Sequence, residues 1–323
     1  MGPTELGAAT ELRAAVIGAG RLGALHAAKY ATTKGVRLSY VVDIDPKRAA
    51  QVAAAHGATP LADYRELMGR LKGSIDLASV AAPCVAHHEI GSALLASGID
   101  VLLEKPMAAT IAEAQELAAL AERCGRILQV GHLERFNPAI VRLHSIVTSP
   151  RFIECHRLAP FTERGTDVDV LLDLMIHDLD VILFLTGAEI VSVEAVGVAV
   201  LTDIIDVANA RIRFSDGMIA NLNSSRVAPR RERKIRFFQP DAYVSVDYDA
   251  RRIQVYRKTP PAPGSTYPTI SAEQIDLEQG DPLADEIGAF VRSVRTRAAP
   301  PVSARDGLRV IEACERIRHA MQQ

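Results

Sequence analysis

The sequence predicts an α/β fold with two domains, an N-terminal doubly wound parallel sheet and a C-terminal α+β domain with a large, mainly antiparallel open sheet. The chain has 323 residues, 48% of them apolar, which suits two domains of roughly 100–200 residues each. Short apolar runs alternate with amphipathic stretches over residues 13–130, whereas segments of period two prevail after residue 185. We therefore place the domains at 11–131 and 132–323.

The first half of the chain predicts strands that alternate with helices. Its predicted strands are Ala14–Ile17, Val36–Val42, Ile75–Val80, Asp100–Leu103 and Ile127–Val130. Its predicted helices are Leu22–Tyr30, Pro46–His56, Val85–Ala96 and Ile111–Arg123. Asp45 followed by Pro46 is typical of a helix start. Because the strands are mostly apolar and helices separate them, we expect a parallel sheet covered on both faces.

The second half begins with a long helix, Val168–Leu185, and continues into an antiparallel sheet. Its predicted strands are Ser192–Val200, Asp206–Phe214, Met218–Ser225, Lys234–Phe238, Tyr243–Asp247 and Ile253–Tyr256. Asp216-Gly217 lies between two of them and is typical of a hairpin turn. The Pro-rich stretch Thr259–Pro268 predicts an exposed loop. Two helices, Leu283–Thr296 and Ala304–Met321, close the chain, and we expect the last one to pack back on the first domain.

Composition limits the functional classes. The chain carries 37 basic and 39 acidic side chains, a formal charge of -2, so it offers no electrostatic footprint for nucleic acid or an anionic membrane. No apolar run approaches the roughly 20 residues that span a bilayer, and Met1–Leu12 lacks the basic-then-apolar order of a signal peptide. The four cysteines are scattered without a C-x-x-C pair, which predicts reduced thiols. We expect a cytoplasmic protein that neither binds nucleic acid nor inserts into membranes.

The first candidate site is the run Gly18-Ala19-Gly20-Arg21-Leu22-Gly23, which follows a strand and opens a helix. This G-x-G-x-x-G in that context is the dinucleotide fingerprint of a Rossmann domain. Its small residues let the backbone approach a pyrophosphate, and the helix N-terminus offers free N–H groups. Asp43 ends the second strand, where a carboxylate accepts hydrogen bonds from ribose hydroxyls and repels a 2′-phosphate. NAD is therefore favoured over NADP, and the alternative for Asp43 is a loop or cap residue.

Lys105 is the second candidate. It lies in Glu104-Lys105-Pro106, directly after the strand Asp100–Leu103, and ligands bind outside the carboxyl ends of such strands. Its ammonium group can donate to a substrate hydroxyl or carbonyl and stabilise negative charge that develops on that oxygen. A surface lysine in a turn is the alternative, and position alone does not separate the two.

Asp173 and His177 form the third candidate, because residues four apart on a helix are neighbours on one flank. A carboxylate beside an imidazole orients it and supports the protonated form that a general base acquires. An ordinary surface pair is the alternative. Asp169 extends the row, but no cysteine or second histidine joins it, so no metal site is expected. Asp178 and Asp180 are predicted to be solvated.

Together these residues resemble the glucose–fructose oxidoreductase/inositol dehydrogenase (Gfo/Idh/MocA) family over nearly the whole chain. The resemblance rests on the glycine fingerprint, Val80-Ala81-Ala82-Pro83 with His87 four residues later, Glu104-Lys105-Pro106, and Asp173-x-x-x-His177. Members of this family are NAD(P)-dependent dehydrogenases of sugars and cyclitols. They commonly bury a face of the second-domain sheet in dimers or tetramers, so the resemblance implies a homodimer or homotetramer.

The family resemblance also implies roles for individual residues. Lys105 contacts the reacting hydroxyl, His177 takes its proton, and Asp173 supports the site. The cofactor contacts implied after the glycine fingerprint are Ala82, Pro83, His87, Glu104 and Lys105. The Lys105–Pro106 bond is a candidate for a cis peptide. Cys84 departs from the Asn or Thr that many relatives carry after the proline, which leaves its contact with the cofactor open.

A narrower resemblance is to the bacterial branch that oxidises UDP-N-acetylglucosamine at its 3-hydroxyl, whose product feeds an aminotransferase in lipid A assembly. It rests on Val130–Ala139 and Asp173–Asp178. Within the first segment His132, Arg135 and Asn137 are expected to line the substrate, and their alternative role is to fix the interdomain hinge. The basic run formed by Arg226 and Arg230–Arg236 is either a solvated face or the source of one or two arginines for a substrate diphosphate.

Two other functions stay open at this point. The same chemistry could act on an inositol or a free sugar, or the chain could be a regulator that binds a dinucleotide without turnover, since fold alone does not settle function. The intact set of Lys105, Asp173 and His177 favours an enzyme.

Overall fold

A computed structural model describes residues 11–162 and 168–322, so most of the segment Met1–Leu12 lies outside the described residues. The chain divides into two compact units. Of the described residues, the first unit comprises 11–131 and 283–305, and the second comprises those within 132–282 and 306–322. One border between the units lies between Gly131 and His132. Leu283–Arg305, which we expected in the second domain, belongs to the first unit, and the last helix lies almost wholly in the second.

Six strands build the first unit: β1 (Leu12–Ile17), β2 (Val36–Val42), β3 (Thr59–Leu61), β4 (Leu77–Val80), β5 (Asp100–Glu104) and β6 (Leu128–Gly131). They form one parallel sheet in the order β3-β2-β1-β4-β5-β6. The predicted doubly wound sheet is confirmed. Strand β3 was not predicted, because three residues around a proline carry no readable period.

Four helices alternate with these strands: α1 (Arg21–Thr32), α2 (Pro46–His56), α3 (His87–Ala96) and α4 (Ile111–Arg123). The Asp45 carboxylate accepts the N–H groups of Lys47 and Arg48 and so caps α2, as its position before Pro46 predicts. Helix α1 begins after Gly20, which has no side chain to cap it. The first N–H groups of α1 therefore point to the space in front of the helix, where an anion can bind.

Eight strands build the second unit: β7 (Phe152–Leu158), β8 (Ile190–Val198), β9 (Val207–Phe214), β10 (Ile219–Ser225), β11 (Glu232–Phe238), β12 (Ala242–Asp247), β13 (Arg252–Pro261) and β14 (Pro268–Asp276). They form one sheet in the order β14-β13-β12-β11-β7-β10-β9-β8. Strands β7 and β10 are parallel and the other neighbours are antiparallel. The predicted, mainly antiparallel sheet is confirmed.

Two strands of this sheet were missed by the sequence prediction. Strand β7 lies in the middle of the sheet and alternates between half-buried and buried residues, but Glu154 and Arg157 obscure its apolar period. Strand β14 is exposed along nearly its whole length, so it has no apolar face. The stretch Thr259–Pro268 is therefore not simply a loop, because its two ends belong to the β13–β14 hairpin.

The remaining helices are α5 (Pro138–Leu143), α6 (Ile176–Thr186), α7 (Pro282–Thr296) and α8 (Ala304–Ala320). The predicted helix Val168–Leu185 is not uniform, because a π-helical turn, Leu171–Met175, precedes α6. The core of the second unit joins α6 and α8 to the sheet through Ile153, Cys155, Leu179, Ile182, Val310 and Cys314. All four cysteines are free thiols, as predicted. None of the helices in the described part of the chain is long and apolar enough to cross a membrane.

Candidate active site

The glycine run forms a tight loop between β1 and α1 in the first unit. Gly18 has a φ of 90°, and a Cβ there would lie 2.5 Å from the carbonyl oxygen of Ala81. A Cβ on Gly23 would lie 1.7 Å from the carbonyl oxygen of Gly18, whereas one on Gly20 would meet nothing within 4 Å. Gly18 and Gly23 thus allow the loop to close, and Gly20 leaves open space at the start of α1. This shape fits the pyrophosphate of a dinucleotide.

Asp43 lies at the carboxyl end of β2 beside this loop. Its carboxylate accepts the N–H of Ala19 at 2.7 Å and that of Asp45 at 2.9 Å. Nη1 of Arg48 lies 3.6 Å from the same carboxylate. Sequence reasoning missed Arg48, which the first turn of α2 places beside Asp43. Asp43 therefore holds the backbone of the loop at Ala19 and that of the turn before α2 at Asp45.

Lys105 follows β5 and is half-buried. The peptide bond between Lys105 and Pro106 is cis, as the family resemblance implies. The ring of His87 lies 2.8 Å from the carbonyl oxygen of Pro106 through Nδ1 and 2.8 Å from that of Ala82 through Nε2. His87 thus joins the Ala82-Pro83 turn to the turn that carries Lys105. Cys84 is buried, and its Sγ lies 3.9 Å from the carbonyl oxygen of Pro106.

Asp173 and His177 lie in the second unit, where the π-helical turn passes into α6. Both side chains are half-buried, whereas Met175, Ile176 and Asp178 around them are buried. A π-helical turn widens a helix by one residue and is frequent at functional sites. No sequence signal predicted this turn. Asp173 lies within this turn, and His177 is the second residue of the helix that follows it.

The prediction that Asp178 and Asp180 are solvated is wrong. Asp178 is buried and accepts two hydrogen bonds from Arg157, at 3.1 and 2.8 Å. Asp180 is buried and accepts from Arg135 at 2.6 and 3.0 Å. Burial would lower the pKa of Arg135, but the nearby carboxylates Asp180 and Asp306 outweigh it and raise that pKa. These ion pairs fix α6, and with it His177, in the second unit.

The same contacts redefine the segment that we expected to line the substrate. The Arg135 guanidinium is engaged by Asp180 and lies 3.3 Å from Asp306. The Asn137 side chain accepts the N–H of Ala139 and caps α5. His132 is buried, with Nδ1 4.0 Å from Asp180. These contacts within the second unit give Arg135 and Asn137 structural roles there, and we do not carry the two residues into the proposed substrate site.

The basic run is largely neutralised by acidic partners within the second unit. Arg226 is buried against Asp206, with Nε 3.1 Å from Oδ1. Further pairs join Arg231 to Asp249, Lys234 to Asp247 and Arg236 to Glu154. Arg233 is half-buried opposite Arg157 in the β7–β11 ladder. Burial and the charges of Arg157 and Arg231 lower the pKa of Arg233, and it forms no ion pair within 4 Å among the described residues.

Sequence reasoning missed a buried cluster of ionisable side chains beside Lys105 in the first unit. Glu104, which precedes Lys105, lies 2.9 Å from Nε2 of His26 through Oε1. Glu286 of α7 completes the cluster. The signal available in the sequence was weak, because each residue lies on a different element and each alone looks like an ordinary surface position.

Comparison with known proteins supports this description. Residues 12–132 match an oxidoreductase family with an NAD-binding Rossmann fold, and residues 139–245 match the GFO/IDH/MocA C-terminal domain. A UDP-N-acetylglucosamine 3-dehydrogenase from Acidithiobacillus ferrooxidans is 37% identical over 313 residues, which cover 96% of this chain and 97% of that protein. Myo-inositol dehydrogenase Hyg17 from Streptomyces leeuwenhoekii is 35% identical over 231 residues, which cover 67% and 70% of the two chains.

Solved structures agree. That of the Acidithiobacillus ferrooxidans enzyme, GnnA, superposes with a TM-score of 0.88 at 36% identity and covers 96% of this chain and 97% of that one. A scyllo-inositol dehydrogenase from Lactobacillus casei with bound NAD(H) superposes with a TM-score of 0.79 over 97% of each chain. At 19% identity the second likeness concerns the fold alone.

Proposed function

The chain belongs to the Gfo/Idh/MocA family of oxidoreductases, and on this premise we propose that it oxidises the 3-hydroxyl of UDP-N-acetylglucosamine to a 3-keto sugar, with NAD as the preferred cofactor. The observation that carries the proposal is the 37% identity to a UDP-N-acetylglucosamine 3-dehydrogenase over 96% of the chain. The inositol dehydrogenase Hyg17 matches only 67% of it. Oxidation of an inositol or a free sugar is the alternative. A product with a 3-keto group suits a following aminotransferase step in lipid A assembly.

Cofactor binding is proposed for the glycine loop and Asp43 of the first unit. The N–H groups at the start of α1 face the open space at Gly20, where they can donate to a pyrophosphate. Asp43 is assigned to the ribose hydroxyls, and Ile44, which is 94% exposed, offers an apolar surface to a purine ring. NAD, when bound, supplies the hydride acceptor.

The reaction is proposed to depend on three side chains. His177 accepts the proton of the 3-hydroxyl while hydride leaves the carbon of that alcohol, and Asp173 orients the imidazole. Lys105 donates to the same oxygen and stabilises its partial negative charge. A general base typically contributes about 10²–10⁴-fold to the rate. A His177 variant with greatly reduced turnover would therefore distinguish an enzyme from a protein that only binds the dinucleotide.

The decisive experiment measures NADH absorbance after the protein is mixed with NAD and UDP-N-acetylglucosamine. We expect turnover with this sugar nucleotide and little with myo-inositol or N-acetylglucosamine. His177→Asn should lower kcat about 10²–10⁴-fold with NAD affinity nearly unchanged. His319→Asn, a change at an exposed histidine of α8, is the matched control. Tight NAD binding without turnover on any sugar would instead support the alternative that the protein is a regulator that binds a dinucleotide without catalysis.

Arg233 is our assignment for the substrate diphosphate. Of the basic run it is the half-buried cation without an ion pair among the described residues, and it lies one strand from Arg157, which holds Asp178 next to His177. A planar guanidinium binds a diphosphate well. Arg233→Gln should therefore raise KM for UDP-N-acetylglucosamine at least tenfold, whereas Arg231→Gln, at an exposed neighbour, should not. Equal KM values would remove Arg233 from the site.

We also propose that the protein is a cytoplasmic homodimer or homotetramer. The second-unit sheet has apolar residues on its outer strands, with Val196 58% and Ile270 73% exposed, and burying them is favourable at roughly 25 cal/mol per Å². Light scattering should give the mass of two or four chains, and a monomer peak would refute the assembly.

A further inference from the structure

Three buried ionisable side chains meet in the first unit beside Lys105. His26 comes from α1, Glu104 from the end of β5 and Glu286 from α7. His26 and Glu286 are fully buried, and Glu104 is nearly so. One side-chain nitrogen of His26 and one carboxylate oxygen of each acid lie within 4.8 Å of one another. Neither carboxylate is bonded to a lysine or arginine side chain in the part of the chain that the structure describes. The cluster therefore contains two acids and one imidazole.

This composition requires one additional proton. Two carboxylates at this separation and out of water cannot both stay ionised, because each disfavours the charge of the other and burial disfavours both. The hydrogen bond to Nε2 of His26 stabilises the charge of one of them, Glu104. The other acid must be neutral at neutral pH or be bound by a cation.

The hydrogen bonds indicate which acid holds the proton. Oε1 of Glu104 is hydrogen-bonded to Nε2 of His26, and Oε2 accepts the backbone N–H of Lys105 at 3.3 Å. Hydrogen bonds from such donors favour the ionised form of a carboxyl group. Neither oxygen of Glu286 has a hydrogen-bond donor among the described residues. Burial and the charge of Glu104 raise the pKa of Glu286 well above its usual range. The proton therefore belongs on Glu286.

The Glu104 carboxylate is also held by shape. A Cβ on Gly131 would lie 2.8 Å from Oε2 of Glu104, so the carboxylate packs directly against the backbone of this glycine. Helix α7 is fixed to β6 because Nε2 of Gln129 donates to the carbonyl oxygen of Glu286 at 3.1 Å. The position of Glu104 in turn sets the backbone of Lys105, whose N–H it accepts.

We propose that Glu286 is a positioning residue that, as a neutral carboxylic acid, donates its proton to the Glu104 carboxylate and so, together with His26, holds the backbone of Lys105 in place for the reaction. The effect on the reaction rests on the proposed function, because it requires Lys105 at the substrate oxygen. The protonation of Glu286 is independent of the proposed function. The titratable groups that face Glu286 are Glu104, His26 and Tyr30, whose hydroxyl is bonded to Ser79.

Two variants test the positioning role. Glu286→Gln keeps a neutral donor of the same shape, so we expect kcat within about threefold of wild type. Glu286→Leu removes the donor, and kcat should fall about 10²-fold, the cost of a misplacement of about 1 Å, with NAD affinity unchanged. Circular dichroism checks that both variants fold. The alkaline fall of kcat in wild type should move to higher pH in Glu286→Gln. Equal kcat in all three proteins, or equal loss in both variants, would overturn the role.

A second measurement tests the proton without any substrate. Infrared difference spectra between wild type and Glu286→Gln at pH 7 should show the C=O band of a protonated carboxyl group in wild type alone. This outcome holds even if UDP-N-acetylglucosamine is not oxidised, so it separates failure of the inference from failure of the proposed function. A carboxylate band instead, or one divalent metal ion per chain in the purified protein by mass spectrometry, would show that another cation neutralises the cluster.

Discussion

Glu286 in the first unit and Asp206 in the second are both fully buried carboxyl groups, yet their surroundings are opposite. One oxygen of Asp206 accepts the N–H groups of Val200, Leu201 and Thr202 at 2.7–2.9 Å, and Arg226 lies 3.1 Å from the other. Glu286 has an acid as its neighbour and no donor among the described residues. Burial works against ionisation at both sites. At Asp206 the N–H donors outweigh it, and the pKa lies well below its usual range.

The two units therefore accommodate buried carboxyl groups in different ways. In the second unit each buried carboxylate of α6 is matched by an arginine, as Asp178 is by Arg157 and Asp180 by Arg135. Such pairs fix geometry because breaking one leaves the other charge buried alone. In the first unit the cluster next to Lys105 contains two acids and no arginine or lysine partner for them among the described residues, so a proton on Glu286 removes the second negative charge. Proton content there, rather than ion pairing, sets the position of the neighbouring residue.

We expect a large loss of stability when the Asp206 carboxylate is removed. Asp206→Asn removes the charge that Arg226 faces, and loss of one partner of a buried pair costs about 3–5 kcal/mol of unfolding free energy. Urea unfolding measures it. Asp203→Asn, at an exposed acid three residues earlier, is the control and should change stability by less than about 0.5 kcal/mol. Similar losses in the two variants would mean that the Asp206 network contributes little.

Asp43 extends the comparison to an acid of the first unit that does have donors. Asp43→Ala should weaken NAD binding by about 1.5–3 kcal/mol, the range for hydrogen bonds to a charged group, and reduce discrimination against NADP. Arg48 then faces the vacated position, so adding Arg48→Ala should lower NADP affinity again. Isothermal titration with both cofactors measures these changes. Better use of NADP than of NAD by the wild type would contradict the assignment.

The glycine loop, Lys105, Asp173 and His177 could be proposed from the sequence because their signals are local, either a spacing or the end of an apolar run. Sequence reasoning predicted both sheets but missed β7, where Arg157 is buried among partners distant in sequence. Arg157 is buried only because Asp178 and Glu134 reach it. The solvated reading of Asp178 and Asp180 failed for the same reason. A charge pattern gives no information on long-range pairing, so the cluster of His26 and Glu286 could not be predicted either.

The most specific prediction concerns the pH dependence of stability in Glu286→Gln. A carboxyl group whose pKa is raised in the folded state binds its proton there after the unfolded chain has lost it, so its contribution to stability falls as pH rises above the unfolded value of about 4.3. Gln does not titrate, and it still donates to Glu104. Relative to wild type the variant should therefore gain unfolding free energy from about pH 5 upward, by about 1.4 kcal/mol per pH unit as long as Glu286 keeps its proton in the folded protein. Asp206 acts with the opposite sign, because its lowered pKa contributes stability above about pH 3.9 that is lost as the pH falls through and below that value. Urea unfolding at pH 5, 7 and 9 measures the Glu286 difference clear of the Asp206 region. If the free energies of the variant and the wild type differ by the same amount at all three values, Glu286 is ionised in the folded protein and the two buried acids are alike after all.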